Sequence, residues 1–155
     1  MHQGQKLTTR QRLLAWGYRG DLCVFCRSRV ESLEHLYFEC SFSNRIWKQV
    51  LRRCLFNRSI GSWNEEAGWA VKILKRKEFS EGDWEIYLGA VLYHIWLNQN
   101  ARIHDGRLRS EAEIMHVIRQ DVKFRLALCK NVRNTIKNRV LCSLWRVPFS
   151  IFDKE

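Results

Sequence analysis

Proline is nearly missing from this chain: Pro148 is the one instance among 155 residues, and there are only eight glycines. Those numbers exclude a collagen-like, loop-rich or disordered polymer. No run of about eighteen apolar residues occurs, so no membrane-spanning helix is expected. Met1 to Arg10 is polar, without the apolar stretch of a secretory signal. The expected setting is therefore intracellular, not secreted, where thiols stay reduced. A Gly-rich phosphate loop, an HExxH helix and a GxSxG elbow are also absent. From this we expect neither catalysis nor a small-molecule substrate.

Bulky rings and positive charge are plentiful: seven Trp, eight Phe and four Tyr can fill a real core, and the formal net charge is +11. Three thiolates binding one Zn²⁺ would lower that surplus by only one. An excess of this size points to a polyanionic partner, most simply RNA or DNA. A membrane partner is not expected, since no anchor or lipidation motif accompanies the charge.

The densest chemistry lies in CVFCRSRVESLEHLYFEC, which reads Cys23-x2-Cys26-x8-His35-x4-Cys40. Four Cys and His donors are what a tetrahedral structural Zn²⁺ site needs. Two cysteines separated by two residues can wrap a turn whose sulfurs converge on one ion. Ser32 reads as the N-cap of a short helix that brings in His35, with Cys40 just past it. With every position filled by protein, no site remains for an activated water. The ion's role would be structural, contributing on the order of 10 kcal/mol of folding energy. Reduced thiols in a cluster also favour ligation over disulfides.

Leu7-Thr-Thr-Arg-Gln-Arg-Leu-Leu14, then Trp16-Gly17, CxxC, Glu31-Ser32-x-x-His35-Leu-x-Phe38-x-Cys40 and Trp47 together resemble the zinc-binding domain of plant LINE-type reverse transcriptases. Val91-Leu-Tyr-His-Ile-Trp96-x-x-x-Asn100-Ala-Arg-Ile-x-x-Gly106 resembles the segment that follows it. Gln99 departs from the pattern, standing where an arginine is usual before the asparagine. The resemblance implies a domain C-terminal to the polymerase of a non-LTR retrotransposon, which helps engage RNA or target DNA in the nucleus. The polymerase's YxDD-type aspartates are missing here, so no polymerase activity is expected. A second expectation is a structural or protein-interaction module, a freestanding fragment of a degenerate retroelement.

Periodicity supplies the remaining elements. Leu7 to Trp16 predicts a short helix whose Leu13, Leu14 and Trp16 pack onto the zinc turn. Ser43 to Leu55 predicts an amphipathic helix with Ile46, Trp47, Val50, Leu51 and Cys54 inward. Residues 64–77 predict another helix, capped by Asn64, with Trp69, Ile73 and Leu74 inward. Asp83 to His104 carries the strongest helical pattern, through Trp84, Tyr87, Leu88, Val91, Leu92, Ile95 and Trp96. Ser110-x-x-Glu113 is a capping box opening a last long helix. Its apolar face runs Ile114, Val117, Ile118, Val122, Leu128, Cys129, Val132, Ile136 and Val140, and Arg125 falls within it. That placement requires an acidic partner, a break in the helix, or a second partner. The fold class is all-α: a small CCHC zinc knuckle with short helices packed on a helical bundle. The zinc-binding domain is set at residues 4–56 and the helical region at 64–147.

Two basic surfaces follow from these elements. Arg27, Arg29, Arg45, Lys48, Arg52 and Arg53 surround the knuckle, and Tyr37 is the ring placed to stack on an unpaired base. Phe25 and Phe38 would cover the metal and pack on Trp47. On the last helix, Arg119, Lys123, Lys130, Arg133 and Lys137 fall within about 80° of one another at about 100° per residue.

Overall fold

Side chains repeating every three and four residues dominate the chain, and the computed structural model places them in helices around one core. It describes residues 22–74, 84–107 and 109–153. The helix expected over 7–16, with Leu13, Leu14 and Trp16, lies outside the described residues. A π-helical turn at His35–Glu39 leads into α1 (Ser41–Arg53), followed by α2 (Trp63–Leu74) and α3 (Trp84–Asp105). Then come α4 (Glu111–Ala127), α5 (Ile136–Trp145) and a 3₁₀ turn at Phe149–Ile151. Among the described residues extended pairing is limited to two isolated bridges, Leu22 with Val30 and Val132 with Phe152. The architecture is mostly helical, as the residue pattern implies.

α1 begins at Ser41, two residues earlier than the pattern suggested, because Cys40 occupies the N-cap position. Its inward face is Ile46, Trp47, Val50 and Leu51, with Cys54 just past its end, all buried. α2 is capped by Ser62 rather than Asn64: Ser62 Oγ accepts from the Glu65 N–H at 3.3 Å, and Glu65 Oε2 accepts from the Ser62 N–H at 2.6 Å. That exchange satisfies two of the donors a helix start leaves open. The far end of the expected 64–77 helix and the side chains of Ile73 and Leu74 fall outside the described residues.

One cluster of buried side chains spans the molecule from Cys23 to Ile151. A file of rings runs through it, Phe38 on Trp47 (5.9 Å), Trp47 on Trp84 (6.0 Å), Trp84 near Tyr87 (6.4 Å) and Tyr87 on Trp145 (5.2 Å). Trp69 meets Trp84 edge-on at 4.8 Å. The Arg58 guanidinium lies 3.7 Å over the Trp69 ring while forming a two-pronged pair with buried Glu66 at 2.8 and 2.7 Å. α3 buries Trp84, Tyr87, Ala90, Val91 and Ile95 along one face, with Asn98 and Gln99 continuing it as polar residues.

The last long helix is in fact two. α4 opens on the complete Ser110–Glu113 capping box and ends at Ala127. Asn131 then takes a left-handed backbone (φ 58°), a conformation asparagine tolerates better than most residues. Thr135 caps α5 by accepting from the Asn138 N–H at 3.1 Å. Between them Val132 pairs with the chain's end: its N–H donates to Ile151 O at 3.1 Å, and its carbonyl accepts from Asp153 N–H at 3.0 Å. Ile114, Ile118 and Val122 are buried as expected, but Leu128 (79% exposed) and Ile136 (83% exposed) face outward. Arg125 does not lie on the buried face. It pairs with Asp121 at 2.9 Å on the outer side of α4, and the helix stops two residues later. The basic stripe from Arg119 to Lys137 rested on one continuous helix, and the break between α4 and α5 divides it.

Candidate metal centre

The loop from Leu22 to Val30 closes on itself, with the Cys23 N–H donating to Arg29 O at 2.8 Å and the Arg27 N–H to Cys23 O at 2.9 Å. Arg27 takes φ 53° to complete this turn. Ser32 Oγ accepts from the His35 N–H at 3.0 Å, which starts the helical turn that carries the imidazole. Cys40 leaves that turn in an extended conformation and caps α1. Three local devices thus bring Cys23, Cys26, His35 and Cys40 together, with every donor atom within 4.8 Å of the others.

Cys23 Sγ lies 3.8 Å from Cys40 Sγ, and Cys26 Sγ lies 3.2 Å from His35 Nε2. A tetrahedral ion about 2.3 Å from each sulfur and about 2.0–2.1 Å from nitrogen sets sulfur–sulfur edges near 3.8 Å and sulfur–nitrogen edges near 3.5 Å. The donor set and its spacing therefore fit Zn²⁺. All four places are protein atoms, which makes this a closed, structural type of site.

The Cys23 thiol, 3.8 Å from Cys40 Sγ, is pushed up by that hydrogen bond, with burial adding to the effect. Cys40 is pulled below its ordinary value by that bond and by the Phe42 and Ser43 N–H groups at the start of α1. Backbone N–H groups of Phe25 and Cys26 likewise favour the Cys23 thiolate, and the Ser28 N–H reaches Cys26 Sγ at 3.5 Å. Such donors stabilise the thiolates that a metal requires. On the far side of the imidazole, His35 Nδ1 lies 3.8 Å from Glu39 Oε2, and Arg29 Nη1 lies 3.6 Å from the same oxygen.

Around the centre sits a layer that sequence reasoning missed. Arg102, from α3, donates to Val24 O at 3.0 Å. Its guanidinium lies 4.9 Å from the Phe25 ring and 5.2 Å from the Phe42 ring, which stack on each other at 4.7 Å. Burial lowers the Arg102 pKa, while the Cys23 and Cys40 sulfurs favour its charge. With a divalent ion held by three thiolates the centre would carry one net negative charge, which the Arg102 cation would balance. Buried Glu31 accepts from Gln99 Nε2 and from the Val24 N–H at 3.3 Å. These contacts join residues 68 and 78 positions apart. The family-like segment around Asn100 was the only sequence signal for them.

Of the residues expected to touch nucleic acid, Arg27, Arg29, Lys48 and Arg52 are exposed near the knuckle and on the outer face of α1. Arg45 is exposed too but paired with Glu111 of α4. Tyr37 requires correction. It is only 3% exposed, and burial, followed by the nearby Glu31 charge, pushes its hydroxyl pKa well up. The π-helical turn faces it inward, so its ring is closed to base stacking. Phe38 stacks on Trp47 as expected, whereas Phe25 stacks on Phe42 instead.

No helix among the described residues is long and apolar enough to cross a membrane. No curated protein and no solved structure matches the chain. The family model that does match covers residues 1–47, the segment holding all four donors, and it describes zinc-binding in reverse transcriptase.

Proposed function

We propose that this chain is a zinc-stabilised nucleic-acid-binding module of the kind that accompanies a reverse transcriptase, acting in the nucleus and without polymerase activity of its own. The reading is carried by one arrangement: a closed Cys₃His centre whose turn exposes Arg27 and Arg29, in a segment matching that zinc-binding family. A metal-braced turn presents its guanidinium groups with little further ordering cost, and guanidinium forks suit phosphate oxygens. The surplus of positive charge supports long-range attraction to RNA or DNA.

Binding of the zinc-loaded chain to single- and double-stranded RNA and DNA oligonucleotides, followed by anisotropy across a salt series, tests this. The expected result is a linear fall of log K with log salt, with a slope showing several phosphates neutralised. Absence of binding at low salt would sink the reading. A second reading, a protein-interaction module, is favoured by the exposed apolar side chains Phe124, Leu128 and Ile136 at the corner between α4 and α5. Oligonucleotide binding that is weak and indifferent to salt would favour it.

A further inference from the structure

His35 meets the other three donors with Nε2, which lies 3.2 Å from Cys26 Sγ. Its other ring nitrogen, Nδ1, is buried and has no hydrogen-bond partner among the described residues. A neutral imidazole that gives one nitrogen to a metal carries its hydrogen on the other, so a buried donor is left there without an acceptor. Glu39 supplies an acceptor within reach. The π-helical turn, closed by the Cys40 N–H donating to His35 O at 2.7 Å, sets Glu39 four residues beyond the imidazole. Glu39 Oε2 stands 3.8 Å from His35 Nδ1 and 3.6 Å from Arg29 Nη1, within ion-pair range of both and hydrogen-bonded to neither. The Glu39 side chain is half exposed, so its carboxylate can turn without disturbing the core. Arg29 is tied to the metal loop by its own carbonyl, which accepts from the Cys23 N–H at 2.8 Å.

We propose that Glu39 is a positioning residue of the metal centre, its carboxylate shared between His35 Nδ1 and Arg29, and that a phosphate taken by Arg29 therefore tightens the hold on the metal. Turned toward the ring, the carboxylate accepts the Nδ1 hydrogen. That contact fixes the imidazole as the tautomer whose Nε2 lone pair faces the sulfurs, and makes Nε2 a stronger donor. Turned toward Arg29, the same carboxylate meets a guanidinium fork, whose geometry suits it well. The two contacts compete because one oxygen serves both. A phosphate on Arg29 removes the competing cation and repels the carboxylate, and both effects drive Glu39 onto the ring. This coupling rests on the reading that the knuckle's arginines take phosphates, whereas the sharing of Glu39 does not. By linkage, the factor that the phosphate adds to metal affinity is the factor that the metal adds to phosphate affinity.

The test uses the zinc-loaded full chain, with the His35 ring nitrogens followed by ¹⁵N NMR and zinc release into a competing chelator timed. Both side chains to be changed reach solvent, so the variants leave the buried core in place. Glu39→Ala should shift the His35 Nδ1 resonance and speed zinc release by about tenfold, the low end of what lost outer contacts cost a metal site. Glu39→Gln keeps an acceptor oxygen and should recover most of both. Arg29→Gln removes the competing cation and should slow release several-fold, but should change nothing in the Glu39→Ala background. An unmoved Nδ1 resonance or an unchanged release rate in Glu39→Ala overturns the proposal. So does an Arg29→Gln variant that fails to slow release, or that slows it equally with and without Glu39. A single-stranded oligonucleotide then supplies the phosphate. It should slow zinc release several-fold more in the wild type than in Glu39→Ala, and equal slowing overturns the coupling. Failure of the oligonucleotide to bind strikes the knuckle's proposed role and the phosphate effect with it, while the variant measurements still judge the sharing of Glu39.

Discussion

Between Cys23 and Cys40 the chain gathers two kinds of polar donor, three thiols and one imidazole, around a point where their lone pairs converge. Between Trp84 and Trp145 it buries Trp84, Tyr87, Ile95, Ile114, Ile118, Leu126 and Leu141, held chiefly by packing on one another. The first region is held by a few strong, mutually dependent bonds, and the second by many weak, graded ones. Residues such as Trp47, Arg102 and Gln99 join the two. A change in the knuckle should therefore act all at once, and a change in the bundle in proportion to what is removed.

The comparison is tested hardest by taking the ion away. Chelation of Zn²⁺, or Cys26→Ser, should cost on the order of 10 kcal/mol of coupled binding and folding energy. The near-UV signal of residues 22–56 should collapse while much of the far-UV helicity of α3 and α4 remains. An unchanged near-UV spectrum after metal removal would show that the knuckle stands without its ion. Next in size is Trp84→Ala, which empties the meeting point of the Trp47, Trp69 and Tyr87 rings. It should destabilise by about 3–5 kcal/mol in urea unfolding, with zinc content retained. Zinc loss accompanying it would mean that the two regions fail together.

Arg102→Ala addresses the joint directly. It strips a donor from Val24 O and the cation from the Phe25–Phe42 stack. A cost of about 1–3 kcal/mol is expected, together with faster zinc transfer to a competing chelator. An unaltered transfer rate would leave Arg102 as packing alone. Smallest is the cap of α4, where Ser110→Ala should cost about 1 kcal/mol. Hydrogen bonds from the Ser110 backbone and side chain hold the Glu113 carboxyl below its usual value. A depressed carboxyl stabilises the fold fully above its unfolded value of about 4.3 and loses that effect as pH falls through the lower folded value. Carboxyl NMR titration checks it, and an ordinary Glu113 value would break the capping box.

Much of this was legible in residue order. Cys23, Cys26, His35 and Cys40 declared themselves because metal donors of one centre can sit within a single short segment. The inward faces of α1 and α3 were readable because helical periodicity is a property of the chain itself. The Ser110–Glu113 box is likewise a local rule. The π-helical turn was not readable, and it hid Tyr37, whose amphipathic ring suits either a wet or a dry position. The break at Asn131 was masked by a run of apolar residues that kept helical spacing across a non-helical segment. Arg125 carried the warning, but only its pairing with Asp121 and the bridge from Val132 to Phe152 resolved it.

Sequence alone therefore determined the donor set, the helical class and the cationic character, since each depends on residue type and short spacing. Tertiary structure decided which ring is buried, how Arg102 and Glu31 brace the knuckle, and that Arg45 is paired with Glu111 of α4. Those facts join residues dozens of positions apart, and only packing sets such distances.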